Sequence, residues 1–116
     1  MVQQASPENI YDAALVALSE WIDAANAHKP TDQQAWERTA KVAEECGEVV
    51  AAMIGMTGQN PRKGFTHTVD DVIAELLDVA VTALGAVEHL TGHEGTARAM
   101  LDRKILSVAT RAGLVQ

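Results

Sequence analysis

Apolar residues recur at three- and four-residue intervals through four stretches of this chain, and no stretch alternates with period two over a strand's length. The pattern predicts four helices and no strands. Tyr11, Leu15, Leu18, Ile22 and Ala25 form the inward stripe of the first helix. Ser6-Pro7-Glu8 before it reads as an N-cap, a proline at the first helical position and an acid in the first turn. Lys29-Pro30 ends it, because proline disfavours a helical residue before it. Thr31-Asp32-Gln33-Gln34 predicts a capping box that opens a long second helix over 35–56, with an inward stripe of Val42, Cys46, Val49 and Met53. Thr57-Gly58 stops that helix with a glycine suited to a left-handed cap. A loop over 58–64 follows. Thr68 then caps a third helix whose first turn carries Asp70 and Asp71, where the helix dipole favours acids. Its inward positions are Val72, Leu76, Val79, Ala83 and Leu90, and Thr91-Gly92-His93-Glu94-Gly95 breaks it. A last helix, roughly 96–112, turns Ala97, Leu101, Ile105 and Val108 inward. Four amphipathic helices with short connections predict an all-α four-helix bundle over residues 1–116.

Composition narrows the partners. With 47% hydrophobic residues the 116-residue chain can bury the core of one domain, and it contains no repeat or low-complexity segment. Its formal charge of -7 argues against a grip on nucleic-acid backbones or anionic membranes. One cysteine, Cys46, cannot make an intrachain disulfide, and its place in an apolar stripe predicts a small core residue in a reducing compartment. The first residues lack a basic n-region and an apolar h-region, which predicts a cytoplasmic protein, and the apolar runs are too short to span a bilayer.

Chemistry concentrates in the acids. Glu44, Glu45 and Glu48 lie on the second helix, and Glu75 and Asp78 on the third. At about 100° per residue, Glu45 and Glu48 sit about 60° apart, as do Glu75 and Asp78, so each pair can point at one spot. One turn beyond Glu45, Glu48, Glu75 and Asp78 stand Val49, Ala52, Val79 and Thr82 rather than Lys or Arg. Like charges such as Glu44 with Glu48, or Asp71 with Glu75, cost a few tenths of a kcal/mol each on a helix. A cation among these acids would relieve that repulsion, and hard carboxylate oxygens select Mg²⁺ or Mn²⁺. By spacing alone a solvated acidic face remains the alternative. A di-iron carboxylate bundle is disfavoured, because no glutamate here has a histidine three residues on.

The string Lys41-x-x-Glu44-Glu45-x-x-Glu48, followed after 26 residues by Glu75-x-x-Asp78, resembles the signature of the MazG-like all-α nucleoside triphosphate pyrophosphohydrolases. The resemblance implies Mg²⁺-dependent hydrolysis between the α- and β-phosphates of a ribo- or deoxynucleoside triphosphate, with a role such as nucleotide-pool cleansing. It implies Glu45, Glu48, Glu75 and Asp78 as metal ligands. Glu44 and Glu45 would be the catalytic acids, Glu44 as a further ligand or as the group that orients or deprotonates water. Lys41 is either a phosphate contact or a partner for Glu37 or Glu45. Arg62 and Lys63, in the glycine-flanked loop, can reach phosphates. Lys104 and Arg111 match the ends of a K-x-x-x-N-x-x-R pattern that relatives carry on the last helix, with Val108 at the asparagine position. Trp36 is the first choice to stack on a base among Tyr11, Trp21, Trp36 and Phe65. An acidic chain repels free triphosphate, so the substrate is expected to arrive with a divalent cation. Relatives pair their bundles, and Val50, Ile54, Leu77, Val81 and Leu84 lie off the inward stripes, so a homodimer or homotetramer with a shared pocket is expected. The competing reading is a catalytically silent helical interaction or regulatory module that retains the metal site.

Overall fold

The computed structural model describes residues 10–116, so the Ser6-Pro7-Glu8 cap lies outside the described residues. Four helices follow one another: α1 (Ile10–Ala25), α2 (Thr31–Thr57), α3 (Val69–Thr91) and α4 (Ala97–Arg111). Among the described residues there is no strand, and no helix is long and apolar enough to cross a membrane.

Helix ends follow local chemistry at most positions. At the start of α3 the Thr68 hydroxyl accepts the Asp71 N–H while the Asp71 carboxylate accepts the Thr68 N–H at 2.8 Å, a complete capping box. These Thr68 backbone and side-chain hydrogen bonds hold the Asp71 carboxyl below its ordinary range. Gly58 and Gly92 cap α2 and α3 in the left-handed region, and the His93 N–H reaches the Glu88 carbonyl at 2.8 Å in a Schellman arrangement. At the start of α2 the expected capping box does not form. Pro30, with ψ at 148°, holds the cap position, so Thr31 is already helical. The Gln34 side chain instead donates to the Lys29 carbonyl at 2.9 Å. Between α2 and α3 the chain folds back on α2, where the Thr66 N–H donates to the Gly55 carbonyl at 2.9 Å. A Cβ at Gly55 would collide with the His67 ring and the Thr66 hydroxyl, so this close approach needs glycine.

Every substantial helix pairing includes α3, and its packing on α2 is the most extensive. The arrangement is open: the radius of gyration is 17.4 Å, whereas a compact chain of this length has about 13 Å. Among the described residues, Leu15, Ala52, Val72, Ala86 and Ala97 form the buried hydrophobic set. Of the expected inward stripes, Tyr11, Leu18, Met53, Leu76, Leu90, Leu101, Ile105 and Val108 are exposed, and so is Cys46. With α3 as the common partner, much of the apolar face of each outer helix stays exposed among the described residues.

The interior joints are polar. Arg38, 9% exposed, donates from Nη1 to Asp23 Oδ1 at 2.7 Å and from Nη2 to Ser19 Oγ at 2.9 Å. Ser19 donates in turn to the Gly85 carbonyl at 3.1 Å, which ties α1 and α2 to α3. A Cβ at Gly85 would stand 3.2 Å from Arg38 Nη2, so the glycine leaves room for the guanidinium. Glu88, fully buried, accepts the Gly95 and Ala97 N–H groups, each at 2.9 Å. A carboxylate at the N-terminus of α4 satisfies donors that the helix cannot, and complements its dipole. Replacing Glu88 by Ala is expected to lower unfolding stability by about 3 kcal/mol in urea titration, and Glu88→Gln, which keeps one acceptor, by less. A loss below about 0.5 kcal/mol would show that this carboxylate does not anchor α4.

Candidate metal centre and adjoining cavity

Packing of α2 on α3 brings Glu45 to Glu75 and Asp78. One carboxylate oxygen from each lies within 4.8 Å of the others, with Glu45 and Glu75 half-buried and Asp78 exposed. Burial, then the charges of Asp78, Glu48 and Glu45, push the Glu75 carboxyl above its ordinary range, and His67 only partly offsets them. Glu48 therefore stands in the field of Glu75, although its oxygens fall outside the close trio. Lys41 ion-pairs with Glu44 and lies 3.8 Å from Glu45. Its pKa is raised, first by the Glu44 hydrogen bond and then, against a desolvation penalty, by the charges of Glu44, Glu45 and Glu48. Glu44 is thus drawn outward to Lys41 and does not join the trio. Three carboxylates with one shared lysine form a hard, anionic donor set that fits Mg²⁺ or Mn²⁺.

A cavity of about 440 Å³ opens beside these acids between α1, α2 and α3. Lys41 and Thr82 lie on its wall. Lys41 is one turn before Glu45 and Thr82 one turn after Asp78, so the cavity begins about 6 Å along each helix from the carboxylates. Leu15, Leu18, Ile22 and Val81 supply apolar wall, and Asn26, Gln34 and Arg38 supply polar groups. That size and mixture suit a small organic ligand.

The other expected substrate contacts fall elsewhere. Trp36 is 71% exposed and off the cavity wall. Arg62 and Lys63 are exposed in the connection between α2 and α3, where the Arg62 N–H is bound by Asn60 Oδ1, and neither lines the cavity. Lys104 borders a separate hollow of about 380 Å³ against Ala80, Ala83, Leu84 and Val87. Those α3 positions are centred roughly 160° around the helix from Glu75 and Asp78. Lys104, and Arg111 two turns further along α4, therefore do not approach the acids of their own chain. Sequence reasoning missed His67, which the folded-back connection brings into the field of Glu75. It also missed the contact of Asp23 with His89 and His93. The four-residue step between the histidines is visible in sequence, but nothing there points to an aspartate 66 residues away from His89.

Comparison of the chain with protein-family models, with curated proteins and with solved structures gives no match.

The raised pKa of Glu75 has a definite sign. Its folded-state preference for the proton contributes stability below the ordinary carboxyl value, and that contribution is lost as pH rises through the raised one. Metal-free Glu75→Gln protein should therefore melt higher than metal-free wild type at about pH 7, with the gap closing at about pH 4. Mg²⁺ should raise the wild-type melting temperature more than that of the variant. A Glu75→Gln protein that is less stable at neutral pH without metal would contradict the repulsion described here.

Proposed function

We propose that this protein is a MazG-like nucleoside triphosphate pyrophosphohydrolase, dependent on Mg²⁺ or Mn²⁺. The convergence of Glu45, Glu75 and Asp78 beside a nucleoside-sized cavity is the observation that carries this reading. The three carboxylates would hold the metal, with Glu48 completing the set. Bound there, Mg²⁺ supplies charge neutralisation at the phosphates and acidifies water. Lys41 lines the cavity beside the acids and would leave Glu44 for a phosphate oxygen. The cavity would take the base and sugar, with Asn26, Gln34 and Arg38 as its polar groups in place of stacking on Trp36. Water attacks the α-phosphorus, the bond from the α-phosphorus to the bridging oxygen breaks, and pyrophosphate leaves with that oxygen. The proton of the water passes to a carboxylate of the cluster.

A panel of ribo- and deoxynucleoside triphosphates, assayed with Mg²⁺, Mn²⁺ and EDTA, tests this. The expected products are monophosphate and pyrophosphate, with no turnover in EDTA. Glu45→Gln and Asp78→Asn should each lower kcat by about a hundredfold or more. Diphosphate and orthophosphate as first products would defeat the assignment, and Mg²⁺ stabilisation without any turnover would favour the silent module instead.

We also infer that the chain assembles as a homodimer or a dimer of dimers. Val50, Ile54, Leu77 and Val81 are exposed, Leu77 by 61%, and this much uncovered apolar helix surface supports an interface. Lys104 and Arg111 face away from their own acids, so any contact they make with substrate comes from a second copy. Light scattering at low micromolar protein should give the mass of two or four chains. A monomer with unchanged activity per chain on dilution would remove both the assembly and the shared pocket.

A further inference from the structure

Asp23 is the meeting point of two histidines from the end of α3. Its Oδ2 lies 2.7 Å from His89 Nδ1 and 3.3 Å from His93 Nε2, and the three donor atoms fall within 4.8 Å of one another. The imidazole planes are 77° apart, with centroids 6.2 Å apart, so the two rings approach Asp23 from different directions. We propose that Asp23, His89 and His93 form a second metal site, selective for Zn²⁺ or a similar borderline ion and separate from the carboxylate cluster.

The donor set gives the selectivity. Two imidazole nitrogens and one carboxylate oxygen suit Zn²⁺, Co²⁺ or Ni²⁺, whereas Mg²⁺ prefers oxygen alone. The spacing is close to what such an ion needs. A tetrahedral Zn²⁺ with bonds of about 2.0–2.1 Å holds its ligand atoms about 3.3–3.4 Å apart. The His93–Asp23 pair, at 3.3 Å, has that separation already, and the His89–Asp23 pair, at 2.7 Å, needs to open by about 0.6–0.7 Å. These nitrogens contact Oδ2 directly. A bound ion would replace those contacts, with each neutral ring carrying its proton on the nitrogen away from the ion.

Neighbouring groups orient the set. Arg38 holds Oδ1 of Asp23 at 2.7 Å, leaving Oδ2 as the ligand atom. Ser19 Oγ lies 2.8 Å from His93 Nε2, and Asp23 also lines the cavity between α1, α2 and α3, which supplies an entry route. His93 has φ of 61°, and it is the single non-glycine residue among the described residues in the left-handed region. That conformation is unfavourable for a residue with a Cβ, and here the ring reaches back to Ser19 and Asp23 of α1. Arg38 leaves the Asp23 environment without net negative charge, so the site binds more weakly than a thiolate zinc site. A bound ion would fasten α1 to the end of α3 at one side of the cavity.

The test uses the whole chain, stripped of metal and then titrated with Zn²⁺ or Co²⁺ in excess Mg²⁺, which occupies the carboxylate cluster. One ion per chain is expected, with the visible absorption of tetrahedral Co²⁺. His89→Gln and His93→Asn should each weaken binding by about a hundredfold or more, while Glu75→Gln leaves it unchanged. Asparagine tolerates the left-handed region, so His93→Asn keeps the backbone of the turn. In the unmutated protein, Zn²⁺ should shift the ring resonances of His89 and His93 but not those of His28 and His67, a readout independent of how the variants fold. Absence of saturable binding, or binding that survives both histidine changes, overturns the site. So does binding lost with Glu75→Gln, or ring shifts confined to His28 and His67.

Discussion

The buried guanidinium of Arg38 is the constraint around which three of the four helices are set. Arginine cannot shed its charge, and removing such an ion from water costs several kcal/mol unless a partner meets it. Asp23 and Ser19 supply the partners from successive turns of α1, and α3 makes room by having no side chain at Gly85. Asp23 then has one oxygen left, and His89 takes it from the last turn of α3. Burial alone would push the Asp23 carboxyl up, but the His89 hydrogen bond and the Arg38 guanidinium outweigh it and hold the group below its ordinary range. Directional polar contacts of this kind define register in a way that a buried set dominated by Ala52, Ala86 and Ala97 does not.

The same helix carries the opposite electrostatic problem two turns later. Arg38, Lys41 and Glu45 follow one another at three- and four-residue steps, so one face of α2 runs from cation to carboxylate within about 10 Å. Asp23 satisfies the cationic end inside the chain. At the acidic end Lys41 is shared with Glu44, and among the described residues no Lys or Arg pairs with Glu75 or Asp78 from α3. The cavity spans the interval between the two ends, bordered by both Arg38 and Lys41. A ligand with an apolar or polar body and an anionic end that brings a divalent cation matches that gradient better than an uncharged one does.

Helix boundaries were legible in sequence wherever their chemistry is local. Thr68 with Asp71 closes its box within four residues, and Gly58 and Gly92 stop their helices because they accept positive φ. The start of α2 misled because Thr31 and Gln34 have the spacing of a box, whereas Pro30 already holds the cap position. The acids were equally legible as pairs, since the helical period alone places Glu75 beside Asp78 and Glu45 near Glu48.

Which sides of the helices face each other could not be read the same way. Periodicity describes a stripe but does not name its partner. Cys46, Leu76 and Leu90 sit on good stripes and are exposed, because none of the four described helices covers them. Ser19, Arg38 and Glu88 look like surface residues and are buried, because each finds hydrogen-bond partners on another element that repay its desolvation. Lys104 matches a motif by spacing, yet α4 packs on the face of α3 away from Glu75 and Asp78. The sequence by itself determined the helices, the ends of α3 and the stop of α2, and the acid pairs, since those depend on interactions within a few turns. Tertiary structure alone decided the meeting of Glu45 with Glu75 and Asp78, the polar joint at Arg38 and the contact of Asp23 with His89 and His93, because each joins residues far apart in the chain and distances between helices set its energy.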